Sequence, residues 1–532
     1  MSLTSMQFLC FLAVILLLYY VFPAKYQWML LLIGSYYFYF KAGKFYPIFL
    51  LITTFTVYVT TLWVNRMQQK LETQITELKN AGTDRKKCKE YKEKEKKKQK
   101  RLIIACLLIN LCILAALKYT NFAIDNLNRV FCAIGNKKEI SYLDIVLPIG
   151  ISFYMFQSLG YMLDVYWKRV AVQKNPFKYA LFVGFFPQLS QGPISRYQDL
   201  SKTLYGPHKF EWKTVSFGME RILWGFFKKL VVADRIAVAV QTIVSDPHYY
   251  DGTFVLVEMI FYAVQLYADF SGGIDITIGV AQLFGITLTE NFCRPFFSKG
   301  IKEYWRRWHI TMGTWFKDYV FYPFSISKPL KKITTFTKKH FGMNVAKRIS
   351  VYTATLVLWA VTGIWHGAYW RFIAWGVMNG LVIMISQELE PLYDKFHARF
   401  PRLTSSLFYQ GFMVVRTFFL MCTLRLFDNA WGCRDAFIRF ASIFQHWNPH
   451  KVTVQELIDL GLTTNDYIVV FVGVIIMFLV SMIQRKRPVR EYIHAKPYIV
   501  RFLVYSFLLL SVILFGMYGV GYDATGFIYN QF

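Results

Sequence analysis

Two of the nine histidines stand where an imidazole is costly to place or ready to react. His366 lies in VLWAVTGIWHGAYWRFIAWG, directly after an uncharged apolar run and beside Gly367. An ionisable group at such depth must face protein or a water-filled cavity, so it is a candidate functional residue. Burial favours the uncharged ring, a ready proton acceptor, and the chemistry expected of His366 is general-base catalysis. The plain alternative is a ring that bonds a carbonyl to lock two helices together. His309 belongs to KEYWRRWHITMGTWFKDYVFYPFS, residues 302–325, where a 3.6-residue period puts Lys302, Arg306, His309 and Gly313 on one face of an amphipathic helix. Trp305, Trp308, Met312 and Trp315 share another face, suited to packing or to a membrane interface. Lys302 and Arg306 with His309 could hold a phosphate-bearing ligand, because arginine grips such oxygens bidentately. Snorkelling to lipid headgroups is the competing reading, and for Arg307 and Lys317 it is at least as good.

The other seven histidines fall in polar, proline-containing or basic stretches. His446 and His450 are four apart, but Pro449 interrupts the helix that would aim both at a metal and no third ligand is near, so no metal site is expected. A second polar line, Glu258, Tyr262, Gln265 and Asp269, is spaced i, i+4, i+7, i+11 along an otherwise apolar helix and must face protein or water. For Glu258 a bond to a neighbouring helix is the favoured reading. GxSxG, GxGxxG and the Walker loop are all absent, which leaves serine-elbow, dinucleotide and ATP-driven chemistry without support. The eight cysteines occur singly, with neither a disulfide framework nor zinc spacing.

The elements that position these residues belong to a membrane protein: 55% of the chain is hydrophobic, 19% aromatic and only 17% charged, with mean hydropathy +0.33. A net charge of +29 would suggest nucleic acid in a soluble domain. Here the basic residues are bunched between apolar runs, the pattern of cytoplasmic loops facing an anionic lipid bilayer, and no nucleic-acid partner is expected. Met6–Phe22 reads as a retained first span of a multi-pass cell-membrane protein, with the N-terminus extracytoplasmic. The lysine-dense stretch 65–101 is expected to be a cytoplasmic loop, part helical and part disordered, and RKRPVR at 485–490 a second cytoplasmic anchor. Apolar runs at 102–118, 145–166, 177–195, 219–240, 254–269, 274–288, 350–365, 371–388, 406–424, 467–483 and 498–520 predict about ten to twelve transmembrane helices plus re-entrant and interfacial ones. FFPQLSQGPISRY, 185–197, makes a poor lipid-facing helix and implies a cavity within an all-α bundle.

One ordered set of motifs carries a resemblance. YADFSGGIDITIGVAQLFGITLTENFCRPFFSKGIKEYWRRWHITMGTWFKDYVFYPF, followed by TGIWHGAYWRFIAWG, resembles the core of the membrane-bound O-acyltransferase family. LPIGISFYMFQSLGYMLDVY, FFPQLSQGPISRY and the terminal GFIYNQF are similar to the branch typified by the alginate O-acetyltransferase membrane subunit, whereas GGIDI at 272–276 departs from its wording. The resemblance implies one domain over 1–532, with two additional C-terminal spans at 467–483 and 498–520. It implies catalytic roles for His366 and His309, donor binding by Lys302 and Arg306, and a central tunnel lined by Tyr262, Gln265, Asp269, Trp305 and Trp365. It also implies acetyl-CoA as acyl donor with no bound cofactor, an extracytoplasmic Ser-His-Asp acyltransferase as partner, and a polysaccharide as the indirect acceptor. The alternatives are a D-alanyl transferase for teichoic acids fed by an acyl carrier protein, and a lipid-linked sugar transporter. The transporter should show paired broken helices in two related halves, and no such pairing is visible.

Overall fold

The computed structural model describes residues 1–135, 139–519, 522 and 526–527. Among the described residues every regular element is a helix, as an all-α chain requires, while residues 528–532 of the terminal motif lie outside them. The chain forms two compact units, Met1–Gly218 with Val280–Thr289, and Met219–Gly279 with Glu290–Phe532.

The first unit holds α1 (Met6–Val21), α2 (Gln27–Ala42), α3 (Tyr46–Asn80), α4 (Arg85–Lys118) and α5 (Ile151–Tyr166). The segment 65–101, expected to be partly disordered, is helical on both sides of a turn at residues 81–84. The reason is local: Lys, Glu and Gln are good helix formers, and Asp84 caps α4 by accepting the Lys86 N–H. With 35 and 34 residues at 1.5 Å each, α3 and α4 are about 50 Å long against about 30 Å of hydrocarbon. FFPQLSQGPISRY keeps only a single helical turn, Phe186–Leu189, and is buried along most of its length. Its broken backbone is packed in protein: Phe186 N–H donates to Ser35 Oγ at 3.1 Å, and the Gln157 amide reaches the Phe182 carbonyl at 2.6 Å.

The second unit contains most of α6 (Thr253–Leu283), then α7 (Ile301–Arg307), α8 (Ile310–Phe316), α9 (Lys328–His366), α10 (Trp370–Glu388), α11 (Leu407–Asn429), α12 (Thr464–Ile483) and α13 (Tyr498–Phe515). Residues Phe227–Ala233 are wound as a π-helix, and Phe227, Val231 and Val232 pack with Phe254, Ala268, Val470 and Met477.

By length and composition seven helices of the described chain suit a membrane crossing, or eight when Trp370–Glu388 and Glu390–Arg399, bent by 45°, count as one. The number is below ten to twelve because several apolar runs fuse or stop short. Runs 254–269 and 274–288 form the single helix α6, whereas 177–195 yields only Pro176–Gly184 and one further turn. The run 350–365 is the end of α9, which begins at Lys328 and breaks at Gly342 (φ 81°). The C-terminal runs become α12 and α13, the latter leaving the helix after Phe515.

Candidate functional site

The helix expected across Lys302 to Gly313 is two short helices, because Trp308 closes α7 in an extended conformation and His309 takes the left-handed region (φ 45°, ψ 54°). A left-handed residue other than glycine costs about 1–2 kcal/mol, so neighbouring bonds must hold it. Asn291 supplies them. Its carbonyl accepts the Ile310 N–H at 2.9 Å, and its Oδ1 accepts the Thr311 N–H at 3.1 Å and the Thr311 hydroxyl at 2.9 Å. This outside cap restarts the helix as α8 and turns His309 inward, where it is fully buried.

The same Asn291 Oδ1 lies 3.2 Å from His309 Nδ1. Because that atom already accepts from two Thr311 donors it is the oxygen of the amide, so Nδ1 carries the ring proton and Nε2 is the accepting nitrogen. Burial first, and the charge of Arg425 second, push the His309 pKa down to about 3 and keep the ring neutral at neutral pH.

His366 is the last residue of α9 and is 5% exposed. Two glycines bring α9 and α10 close enough to enclose it. A Cβ on Gly376 would fall 2.3 Å from the Trp359 carbonyl oxygen, and one on Gly363 2.4 Å from that of Phe372, so only the smallest residue fits at either place. The close pair sets the His366 ring 4.6 Å from Trp375 and 5.1 Å from Trp365, centroid to centroid. Trp365 also lies 6.1 Å from His309, which rests on Phe270 at 4.8 Å. Both candidate histidines therefore touch one buried indole.

Behind them sits a cation that the sequence reading missed. The Arg425 guanidinium is bound by Asp428 at 2.8 Å and lies 5.6, 5.1 and 5.1 Å from the rings of Trp305, Trp308 and Trp375. Tyr304 bonds to Arg425 and Tyr262 to Asp428. A buried arginine with a carboxylate and three indoles is a rigid brace, and two of those indoles flank the histidine segments. The usable signal was an Arg and an Asp three apart at the end of an apolar run.

The polar line of α6 divides among separate partners. Glu258 binds Arg439, which is the structural role favoured for it. Asp269 binds Lys229 at 2.5 Å, and Lys229 also reaches Asp234 at 2.7 Å and the Gly526 carbonyl at 3.0 Å. Gln265 Oε1 is buried without a hydrogen bond among the described residues. Trp305 donates from Nε1 to Asn379 Oδ1 at 3.2 Å. Lys228 and Lys229, two lysines inside the apolar run 219–240, are a signal that the sequence reading left unused.

Lys302 and Arg306 are not brought to His309. The break at Trp308 leaves both on the outer side of α7, with Arg306 exposed and Lys302 paired to Glu390 at 2.7 Å. His446 pairs with Asp251 at 2.5 Å.

Residues 170–337, which include Lys228, Lys229, Asp269, Asn291 and His309, match the profile of MBOAT, the membrane-bound O-acyltransferase family. A probable alginate O-acetylase, AlgI, of Azotobacter vinelandii is 32% identical over 383 residues, 71% of this chain and 67% of the relative. The chain belongs to the membrane-bound O-acyltransferase family. Within that family it is also similar to the peptidoglycan O-acetyltransferase of Helicobacter pylori, 29% identical over 57% of this chain and 58% of the relative. The teichoic acid D-alanyltransferase of Bacillus subtilis is 27% identical over 52% of this chain and 68% of the relative. The matched stretches thus span about two thirds or less of each relative's length. Family membership makes the chain a membrane-bound O-acyltransferase, an enzyme that transfers an acyl group to a hydroxyl.

Proposed function

We propose that the chain takes an acetyl group from acetyl-CoA on the cytoplasmic side and passes it through a tunnel for O-acetylation of an extracytoplasmic polysaccharide. The observation that carries the reading is the meeting of two buried histidines from separate segments on Trp365. The acceptor hydroxyl attacks the thioester carbonyl carbon, the C–S bond breaks, and the hydroxyl proton passes to His366 and from there to the departing thiolate. His309, held neutral by its burial with Nδ1 protonated toward Asn291, adds no positive charge beside His366, so the single proton of the hydroxyl is directed to His366. Tyr262, Gln265, Asp269, Trp305 and Trp365 belong to the tunnel wall and its immediate support, and Lys302 and Arg306 receive the donor phosphates where Glu390 now holds Lys302. A Ser-His-Asp acyltransferase on the far side accepts the acetyl group and selects the polymer. The whole chain acts as one domain, with the α3–α4 turn and residues 485–490 cytoplasmic and the N-terminus outside.

The similarity to teichoic acid D-alanyltransferases supports a second reading, in which a carrier-protein thioester is the donor. The longer match to the alginate O-acetylase favours acetyl-CoA. Proteoliposomes supplied with either thioester on one face, and with glycan with or without the partner on the other, separate these readings. Acetyl-CoA turnover coupled to glycan acetylation only in the presence of the partner is the expected result. Acetylation by this chain alone would overturn the relay, turnover of the carrier-protein thioester alone would move the assignment to the second reading, and no thioester cleavage at all would overturn both.

A further inference from the structure

A cavity of about 540 Å³ lies in the second unit, walled by α12 and α13 on one side and by charged residues on the other. Its apolar wall includes Met477, Val480 and Leu508. α12 and α13 are among the most apolar helices of the chain, with only 17% and 6% of their hydrophobic windows buried, so this wall continues into surface that faces the bilayer. Phe507, one of the lining residues, is 56% exposed on that surface.

The charged side is organised and asymmetric. Arg221 grips Glu290 through two nitrogens, each at 2.6 Å, and also binds Asp275, which Lys228 holds at 2.5 Å. Those two cations and two carboxylates neutralise one another. Glu220 also lines the cavity. With Arg294 and Arg490 in the same wall, four cations face the three carboxylates and the cavity keeps one positive charge. The Arg294 guanidinium makes no hydrogen bond or ion pair among the described residues, and its backbone sits in the left-handed region (φ 50°). An arginine held there, half buried and without an acid, fits a ligand that supplies the missing anion.

We propose that this cavity seats an anionic phospholipid, its phosphodiester between Arg294 and Arg490 and its acyl chains along Met477, Val480 and Leu508. One phosphodiester carries the single negative charge that the site lacks, and the bilayer-facing wall favours a molecule that enters sideways from the membrane over one that enters from water. The seat is separate from the paired histidines and does not depend on the transfer reaction.

The test uses the full-length chain in nanodiscs of about three parts phosphatidylcholine to one part phosphatidylglycerol, with a trace of photoactivatable phosphatidylglycerol. Crosslinks are expected on α12 and α13 near Met477 and Leu508, and Arg294→Gln with Arg490→Gln should cut them by about tenfold. Leu508→Trp, which fills the apolar wall and leaves every charge in place, should cut them comparably, so the idea does not rest on one variant remaining folded. His366→Ala should label like the parent chain, which keeps this seat distinguishable from the acetyl-transfer reading. Equal labelling by a zwitterionic analogue would overturn the proposal. Displacement of the lipid by millimolar inorganic phosphate or coenzyme A, lost in the same arginine variants, would assign the cavity to a soluble phosphate compound and overturn it as well.

Discussion

The His309 imidazole lies 6.1 Å from the indole of Trp365, the residue immediately before His366. One side chain thus sets the spacing of both histidines, although 310–364 separates the two segments in sequence. His366→Ala should lower acetyl transfer by at least about 100-fold, the usual worth of a positioned base, while expression and detergent stability stay near the parent values. Near-full activity in this variant would make His366 a structural residue. Trp365→Leu should lower kcat by about tenfold with both histidines present, because it removes their common spacer without removing a proton acceptor.

The neutral state of His309 has a signature in stability. Its folded pKa of about 3 lies below the ordinary histidine value of about 6.5, so the folded chain binds fewer protons than the unfolded chain between those limits. Its contribution is therefore complete above about pH 6.5 and declines as pH falls toward 3. Thermal melting in detergent from pH 7 to pH 4 should show a steeper decline for the parent chain than for His309→Gln. Parallel curves would remove buried neutral His309 from the account.

Arg425 is the brace most sensitive to substitution. Arg425→Met leaves Asp428 buried without its cation and should cost about 3–5 kcal/mol, read as a large fall in melting temperature. Arg425→Lys should recover little of this, since an ammonium cannot spread over three indole faces as a guanidinium does. Arg425→Met/Asp428→Leu should regain much of the stability, and failure of the double variant to improve on the single one would count against the pair as the source of the loss.

The close approach of α9 and α10 gives a fourth expectation. Gly376→Ala must displace a backbone carbonyl that its Cβ would meet at 2.3 Å, so it should separate the helices and reduce activity by at least about tenfold while the protein still inserts. Retention of full activity and of the parent tryptophan emission would show that the spacing does not govern His366.

His366 was legible from sequence because a histidine at the end of an uncharged run has few places to go except the protein interior. His309 was legible as a candidate but not in its setting. A period of 3.6 assumes an unbroken helix, and the break at Trp308–His309 is made by Asn291, a residue upstream whose bonds no local pattern discloses. The same limit explains Lys302 and Arg306, placed beside His309 by periodicity and left on the outer side of α7 by the break. Arg425 and the Lys228–Lys229 pair went unread for the opposite reason: each is conspicuous in its own run, but its meaning depends on Asp428, Asp275 and Asp269, and for Lys228 and Lys229 the partners lie on another helix.

The turn between α3 and α4 bears on how the chain is made. Just beyond it, between residues 85 and 101, α4 carries eleven Lys or Arg against three Glu, and drawing each such cation across hydrocarbon costs about 2.5–3.5 kcal/mol on an insertion scale. That cost holds the charged end of the hairpin on one side of the bilayer, so the apolar parts of α3 and α4 cross as a pair. A pair that crosses and returns brings the chain back to the side of the bilayer on which α3 began.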